Sequence, residues 1–276
     1  TFDAPVENAP KVGVEITDSG LENEPECVKK YYEGCETVAD MAKRAASFEG
    51  VDFLSFRMDG GDPNGANKST EELIAMLKEI VAAVDLPLVV CGCKHAEKDA
   101  ELLSKAAEAV DGRNALILAA KEENYKQVGA AAGLAYKQVV GAESAVDINL
   151  AKQLNVLLTQ LGVDGKSIVM NVGSAAAGYG FEYAVSTMDR VKAAALAQGD
   201  ATLQMPIITP VASEAWGVKE AMASETDAPE WGSQEERGID MEVETAMAVI
   251  AAGSNAVILK HPESIKIISG LMKELV

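Results

Sequence analysis

KVGVEITDSGLENEPE, Lys11–Glu26, is the stretch whose reading decides the fold. Its first six residues, KVGVEI, form a short run rich in β-branched side chains and read as a strand. An open, doubly wound sheet places a Gly-x-Gly-x-x-Gly loop after such a first strand, where the backbone approaches a dinucleotide pyrophosphate. Here TDSGLENEPE follows instead. The stretch therefore counts against the open sheet, and the decision passes to what surrounds it.

Outward from this strand the chain repeats one unit. Further short apolar runs are VDFLSFRM (Val51–Met58), PLVVCG (Pro87–Gly92), ALILAA (Ala115–Ala120), QVVGAESAVDI (Gln138–Ile148), SIVMNVG (Ser167–Gly173), MPIITPV (Met205–Val211) and NAVILK (Asn255–Lys260). Each strand is followed by a helical pattern, from TVADMAKRAASF after the first, through NYKQVGAAAGLAYK after the fourth, to PESIKIISGLMKELV after the last. Ser69 stands three residues before Glu72 as a capping box, and Pro262 suits a first helical position. Gly162, Gly199 and Gly253 stand where helices should stop. Parallel strands need helical crossovers, and eight of them close without an edge. The expectation is an α/β fold, a (β/α)8 TIM barrel, as one domain over residues 1–276. Residues 1–36 would hold the first strand and a long loop, and residues 212–238 a long loop after strand seven.

Lys and Arg number 24 against 43 Asp and Glu, a net charge of -19, which disfavours nucleic acid or an anionic membrane as partner. No apolar run approaches the roughly 18–20 residues of a membrane span, so an acidic cytoplasmic protein is expected. TFDAPVENAP, at the start, lacks both an initiator Met and the basic region of a secretory signal, and reads as a processed or trimmed end. Cys27, Cys35, Cys91 and Cys93 form no Cys-x-x-Cys pair, and with only His95 and His261 besides, no metal-ligand spacing emerges. Cys91 and Cys93 invite an iron–sulfur reading, but structural or reduced thiols are the expectation.

In a barrel the strand C-termini and the loops after them form the working face. Period 2 in VDFLSFRM turns Leu54, Phe56 and Met58 toward the helices and Ser55, Arg57 and Asp59 toward the lumen or mouth. Arg57 and Asp59 read equally as a self-neutralising plug and as ligand contacts. Asn64 follows in the Asp62–Gly65 turn; Gly92, Cys93 and Lys94 follow strand three, Asn171 strand six, and Lys260 and His261 strand eight. Asp147 reads as a base or as a helix cap, and His261, directly before Pro262, as an N-terminal helix residue. No Ser-His-Asp order, His-Glu-x-x-His or Walker loop is present. The segment Ala212–Gly238 holds Trp216 and Trp231, which suit a partner or ligand; the other reading is a short helix, EAWGVKEAM, tucking Trp216 over the rim.

NVGSAAAGYGFEYAVSTMDRV, Asn171–Val191, passes through small residues into a helical pattern. No basic residue lies between Asn171 and Met188, which disfavours a phosphate cradle. Small side chains at a barrel mouth also let a broad flat molecule or a neighbouring backbone approach, and exposed peptide groups bond amide-like substituents. A macrocycle fits that description.

Several stretches, in order and spacing, resemble the small subunit of the corrinoid iron–sulfur protein, the delta subunit of acetyl-CoA decarbonylase/synthase. They are DPNG (Asp62–Gly65), PLVVCGCKHAEKDAELL (Pro87–Leu103), EENYK (Glu122–Lys126), DINLAKQLNVLL (Asp147–Leu158), GYGFEY (Gly178–Tyr183), PIITP with EAW (Pro206–Trp216) and HPE (His261–Glu263). The resemblance implies a TIM barrel paired with a large subunit, which carries a [4Fe-4S] cluster, and a cobalamin at their interface. It implies methyl transfer from methyltetrahydrofolate or methyltetrahydropterin, through a separate methyltransferase, to acetyl-CoA synthase/CO dehydrogenase in the Wood–Ljungdahl pathway. This chain would be scaffold and lid, with no catalytic residue and no metal of its own. The cofactor-contacting candidates are Asn171, Gly173, Ser174, Gly178, Tyr179 and Gly180, with Asp59, Asn64, Trp216 and His261 at other strand ends. The resemblance also implies an acidic residue and a proline after strand six, where Asn171 and Val172 stand here. A rival from another class is a self-sufficient methyltransferase whose Asp59, Asn171 or Asp147 bonds a pterin. A third is a purely structural subunit.

Overall fold

Val12, Val14 and Ile16 alternate along β1 (Lys11–Thr17) and pack outward between sheet and helices, while Gly13 and Glu15 face the lumen. This computed structural model describes residues 8–275, so most of TFDAPVENAP lies outside the described residues. The other strands are β2 (Phe53–Arg57), β3 (Leu88–Cys91), β4 (Leu116–Ala120), β5 (Val139–Glu143), β6 (Ile168–Asn171), β7 (Ile208–Pro210) and β8 (Ala256–Leu259). They pair in parallel in the order β6-β5-β4-β3-β2-β1-β8-β7. A parallel bridge between Met170 and Ile207, with Met170 N donating to Pro206 O at 2.8 Å, joins the two ends. The sheet is therefore a closed (β/α)8 barrel, as expected.

The surrounding helices are α1 (Val38–Ala45), α2 (Thr70–Ala83), α3 (Ala96–Ala109), α4 (Tyr125–Val128), α5 (Ile148–Leu161), α6 (Phe181–Ala197), α7 (Gln234–Ala251) and α8 (Pro262–Leu275). Ser69 and Glu72 form the expected capping box, Pro262 opens α8, and Gly162 closes α5 in the left-handed conformation at φ 108°. Three details differ from the sequence reading. The fourth helix is one α-turn that widens into a π-helix over Gly129–Ala135, where a side chain on Gly133 would meet Val163 at 2.7 Å. Strand five stops at Glu143, because Ala145 and Val146 take positive φ. The segment 212–238 is partly helical, in line with the second of its two readings, but EAWGVKEAM is split into helices Ala212–Ala215 and Lys219–Met222, and a 3-10 turn follows at Pro229–Trp231.

The core has two layers. The larger lies between barrel and helices and takes in Leu54, Phe56 and Met58, as period 2 predicts. The smaller fills the lumen with Phe53, Val89, Cys91, Leu116, Leu118, Ala119, Ile208 and Ile258. Phe53 lies opposite Gly13, where a Cβ would come within 2.1 Å of its ring. The register between β4 and β5 shifts between Ile117 and Ala120, and the consecutive Leu118 and Ala119 both join the lumen. The lumen is thus packed below, and only its upper end is left to charged side chains.

Candidate functional site

Inward-facing side chains at five strand ends meet at the mouth: Glu15, Arg57, Cys91, Glu143 and Asn171. They line a cavity of about 260 Å³ with an apolar wall of Leu118, Ala119 and Pro210 and a rim that includes Lys94, Lys121, Ser174 and Glu214. Arg57 Nη2 donates to Glu15 Oε1 at 3.0 Å, and its Nη1 stands 3.1 Å from Asp59 Oδ2. Burial disfavours the guanidinium, but Glu15 and Asp59 outweigh it and raise its pKa further. Burial lifts the Asp59 carboxyl above the usual range despite Arg57. Lys121 lies 3.3 Å from Glu143 Oε1, while Asn171 Nδ2 donates to Glu143 Oε2 at 3.3 Å. Lys94 lies 3.6 Å from Glu214. Each cation of this lining thus faces a carboxylate.

Burial pushes the Cys91 thiol up to about 12, so it stays protonated near neutrality. Cys93 is pushed up to about 12 as well, and donates to Asp99 Oδ1 at 3.2 Å. Cys91 belongs to the lumen layer and Cys93 to the outer one, so the two sulfurs diverge. Among the described residues, no group of three or more His, Cys, Asp or Glu is placed to hold a metal ion.

A second cavity, about 400 Å³, lies over β1, β2 and β8 and shares Arg57 and Ser213 with the first. Here Lys260 Nζ reaches both oxygens of Glu24 at 2.7 Å, and Lys68 Nζ reaches Asp18 Oδ2 at 2.8 Å. Behind it the fully buried Glu242 accepts from the backbone N–H of Lys260 at 2.6 Å and of His261 at 3.1 Å. Burial raises the pKa of this carboxyl. The His261 ring stacks on Trp216, with centroids 5.8 Å apart and planes at 15°, and its Nδ1 accepts from Glu263 N at 3.2 Å. Its Nε2 lies 3.3 Å from Glu235, and burial holds the imidazole below its ordinary pKa.

The candidates read from sequence separate accordingly. Asn171, Gly173 and Ser174 line the first cavity, and Asp59 and Trp216 the second. Gly178, Tyr179 and Gly180 form the outer rim after β6, where Tyr179 is half exposed and its hydroxyl donates to Glu220 at 2.6 Å. Asn64 lines neither cavity, and its side chain bonds Asp62 Oδ1 at 3.1 Å in its own turn. His261 also lines neither: it is buried as the cap of α8. Asp147 caps α5 through Asn149 N and Leu150 N. Trp216 is buried at the rim, whereas Trp231 is exposed. Glu15, Lys121 and Glu143 escaped the sequence reading, although Glu15 and Glu143 occupy inward positions at the ends of their strands.

By fold this is a (β/α)8 barrel whose solved neighbours include dihydropteroate synthases. The chain is similar to dihydropteroate synthase from Xanthomonas albilineans in complex with 7,8-dihydropteroate (15% identity, TM-score 0.58, covering 98% of this chain and 95% of that one). It is similar also to the Yersinia pestis enzyme with a sulfonamide drug complex (11%, TM-score 0.61, 97% and 94%). At these identities the likeness shows the fold alone. The chain belongs to the CO dehydrogenase/acetyl-CoA synthase delta subunit family, whose profile matches residues 1–272. Its relatives include subunit delta 1 of the acetyl-CoA decarbonylase/synthase complex from Methanosarcina thermophila (29% identity, 99% of this chain, 63% of the relative). Subunit delta from Archaeoglobus fulgidus is 31% identical over 100% of this chain and 61% of the relative. The chain thus spans a little over three fifths of the length of these curated relatives. No helix among the described residues is long and apolar enough to cross a membrane.

Proposed function

We propose that this chain is the barrel of the small subunit of a corrinoid iron–sulfur methyl carrier in an acetyl-CoA decarbonylase/synthase complex, capping a cobalamin held with the large subunit. The observation that carries the reading is the rim after β6. Gly178 is exposed, and a Cβ built on it meets nothing within 4 Å. Along the same segment Tyr179 and Tyr183 are 49% and 67% exposed, and Val146, which packs beside Gly173, is 45% exposed. Small residues beside exposed apolar ones leave a shallow seat that suits the edge of a large flat ligand and a partner chain.

Bound there, the corrinoid supplies the methyl-carrying chemistry, and the [4Fe-4S] cluster belongs to the partner. This chain's own residues orient and exclude water: Tyr179, Gly178 and Gly180 contact the outer edge, while Asn171, Gly173 and Ser174 shape the cavity beneath. The paired cations of the mouth and its protonated Cys91 thiol agree with a supporting role. The methyl donor and acceptor are a methyltransferase charged by methyltetrahydrofolate or methyltetrahydropterin and acetyl-CoA synthase. Anaerobic co-purification from the native host, with a visible spectrum and a mass inventory, tests the reading. A corrinoid spectrum with a second, cysteine-rich subunit in equal amount is expected. A lone chain without corrinoid that binds methyltetrahydrofolate would contradict it.

A further inference from the structure

Every backbone N–H of the turn from β8 into α8, Lys260–Glu263, is bonded to a titratable side chain. Those of Lys260 and His261 donate to Glu242 at 2.6 and 3.1 Å, Pro262 has none, and that of Glu263 donates to His261 Nδ1 at 3.2 Å. An accepting Nδ1 fixes the neutral ring as the tautomer with its proton on Nε2. That nitrogen lies 3.3 Å from Glu235 Oε1 without an aligned hydrogen bond. The ring itself is fully enclosed. Trp216 stacks on its face, and Tyr31 meets it edge-on, with centroids 5.2 Å apart and planes at 80°. Trp216 belongs to the segment 212–238, and Tyr31 to the connection between β1 and α1 that also supplies Glu22, Asn23 and Glu24 to the second cavity. His261 therefore stands where the two segments that wall this cavity meet, directly after Lys260, which reaches into it.

We propose that His261 is a proton-sensitive clasp: the neutral ring holds the two wall segments of the second cavity together, and a proton taken from solvent onto Nδ1 releases them. The added N–H meets the N–H of Glu263, so the cap of α8 is lost. An imidazolium at a helix N-terminus also opposes the helix dipole. The charged groups around the ring decide where it goes. Glu242, from α7, is occupied by the two backbone N–H groups and acts as the pivot. Glu263, in the first turn of α8, favours the charged ring from one side, and Lys30, beside Tyr31, disfavours it from the other. Glu235, at the start of α7, is the carboxylate within reach of Nε2; it is 29% exposed and already bonded to Lys30 at 2.7 Å. The charged ring thus moves outward to Glu235, in competition with Lys30, and leaves the face of Trp216. Acid thereby loosens one wall of the cavity while the barrel strands stay paired.

The test is fluorescence of the full chain carrying Trp231→Phe, which leaves Trp216 as its one indole. It is titrated from about pH 8 to about pH 5, with acrylamide quenching and far-UV circular dichroism followed alongside. A reversible step below pH 6.5 is expected, in which Trp216 emission shifts red and its quenching by acrylamide rises while the circular dichroism holds. His261→Asn should abolish the step, because Asn caps a helix well and does not titrate in this range. A second measurement needs no change at His261: a long-range proton–nitrogen spectrum at neutral pH should show its Nε2–H tautomer. The chain has two histidines, and His95→Gln assigns their signals. An Nδ1–H tautomer, the absence of a Trp216 step, a step that persists in folded His261→Asn, or a step in which the circular dichroism is lost as well would overturn the inference. These readings need no corrinoid and stand apart from the function proposed above.

Discussion

The two sides of the barrel mouth hold their charges differently. Over β1, β2 and β8 the ion pairs are buried: the Lys260 and Glu24 side chains are 9% and 6% exposed, and Asp18 is fully enclosed beside Lys68. Glu242, His261 and Trp216 brace this side from behind. After β6 the rim is instead small, apolar and open, with Tyr179 and Tyr183 standing out. A buried charge holds its partner strictly, since either one alone is costly. The contrast therefore separates a fixed frame from a surface left free to meet something else.

The largest break in that contrast should come from Lys260→Met, which leaves Glu24 buried without its cation. Urea unfolding should show a loss of about 3–5 kcal/mol. Gly238→Ala comes next, because its Cβ would lie 2.2 Å from the Trp216 ring. Relieving that overlap should cost about 1–3 kcal/mol, and Trp fluorescence should shift red as Trp216 leaves its buried seat.

A smaller effect is pH-dependent. Burial, assisted by the charge of Lys30 and opposed by Glu235 and Glu263, lowers the pKa of His261 from its ordinary 6.5. On acidification the unfolded chain takes up its proton first. The stability linked to His261 is thus present above pH 6.5 and is lost as pH falls through 6.5 toward the folded value. Denaturant titrations should show a slope of at most about 1.4 kcal/mol per pH unit from this group, absent in His261→Gln. The smallest effect is expected on the open side. Tyr183→Ser should change stability by no more than about 0.5 kcal/mol, which calorimetry can check.

The strand-helix alternation was legible because each unit carries its own signals: β-branched runs, the Ser69–Glu72 box, Pro262 at a helix start. What escaped depends on closure. The π-helix at Gly129–Ala135 answers to Val163 and Leu158, which lie outside its own stretch. The inward register of Glu15 and Glu143 could be counted along their strands, but their partners, Arg57 and Lys121, are fixed only when the barrel closes. His261 was legible as the residue that opens a helix, but sequence alone cannot show Trp216 on its face or Glu242 beneath its backbone. The rim after β6 was readable for the opposite reason: its small residues make few demands on distant ones.

The most direct measurement is the corrinoid-to-protein ratio of the anaerobically co-purified complex carrying Gly178→Arg on the open rim, beside Lys273→Glu at the opposite end of the barrel. If the rim seats the corrinoid edge, Gly178→Arg loses corrinoid while Lys273→Glu retains the wild-type ratio. Full retention by folded Gly178→Arg would contradict the account.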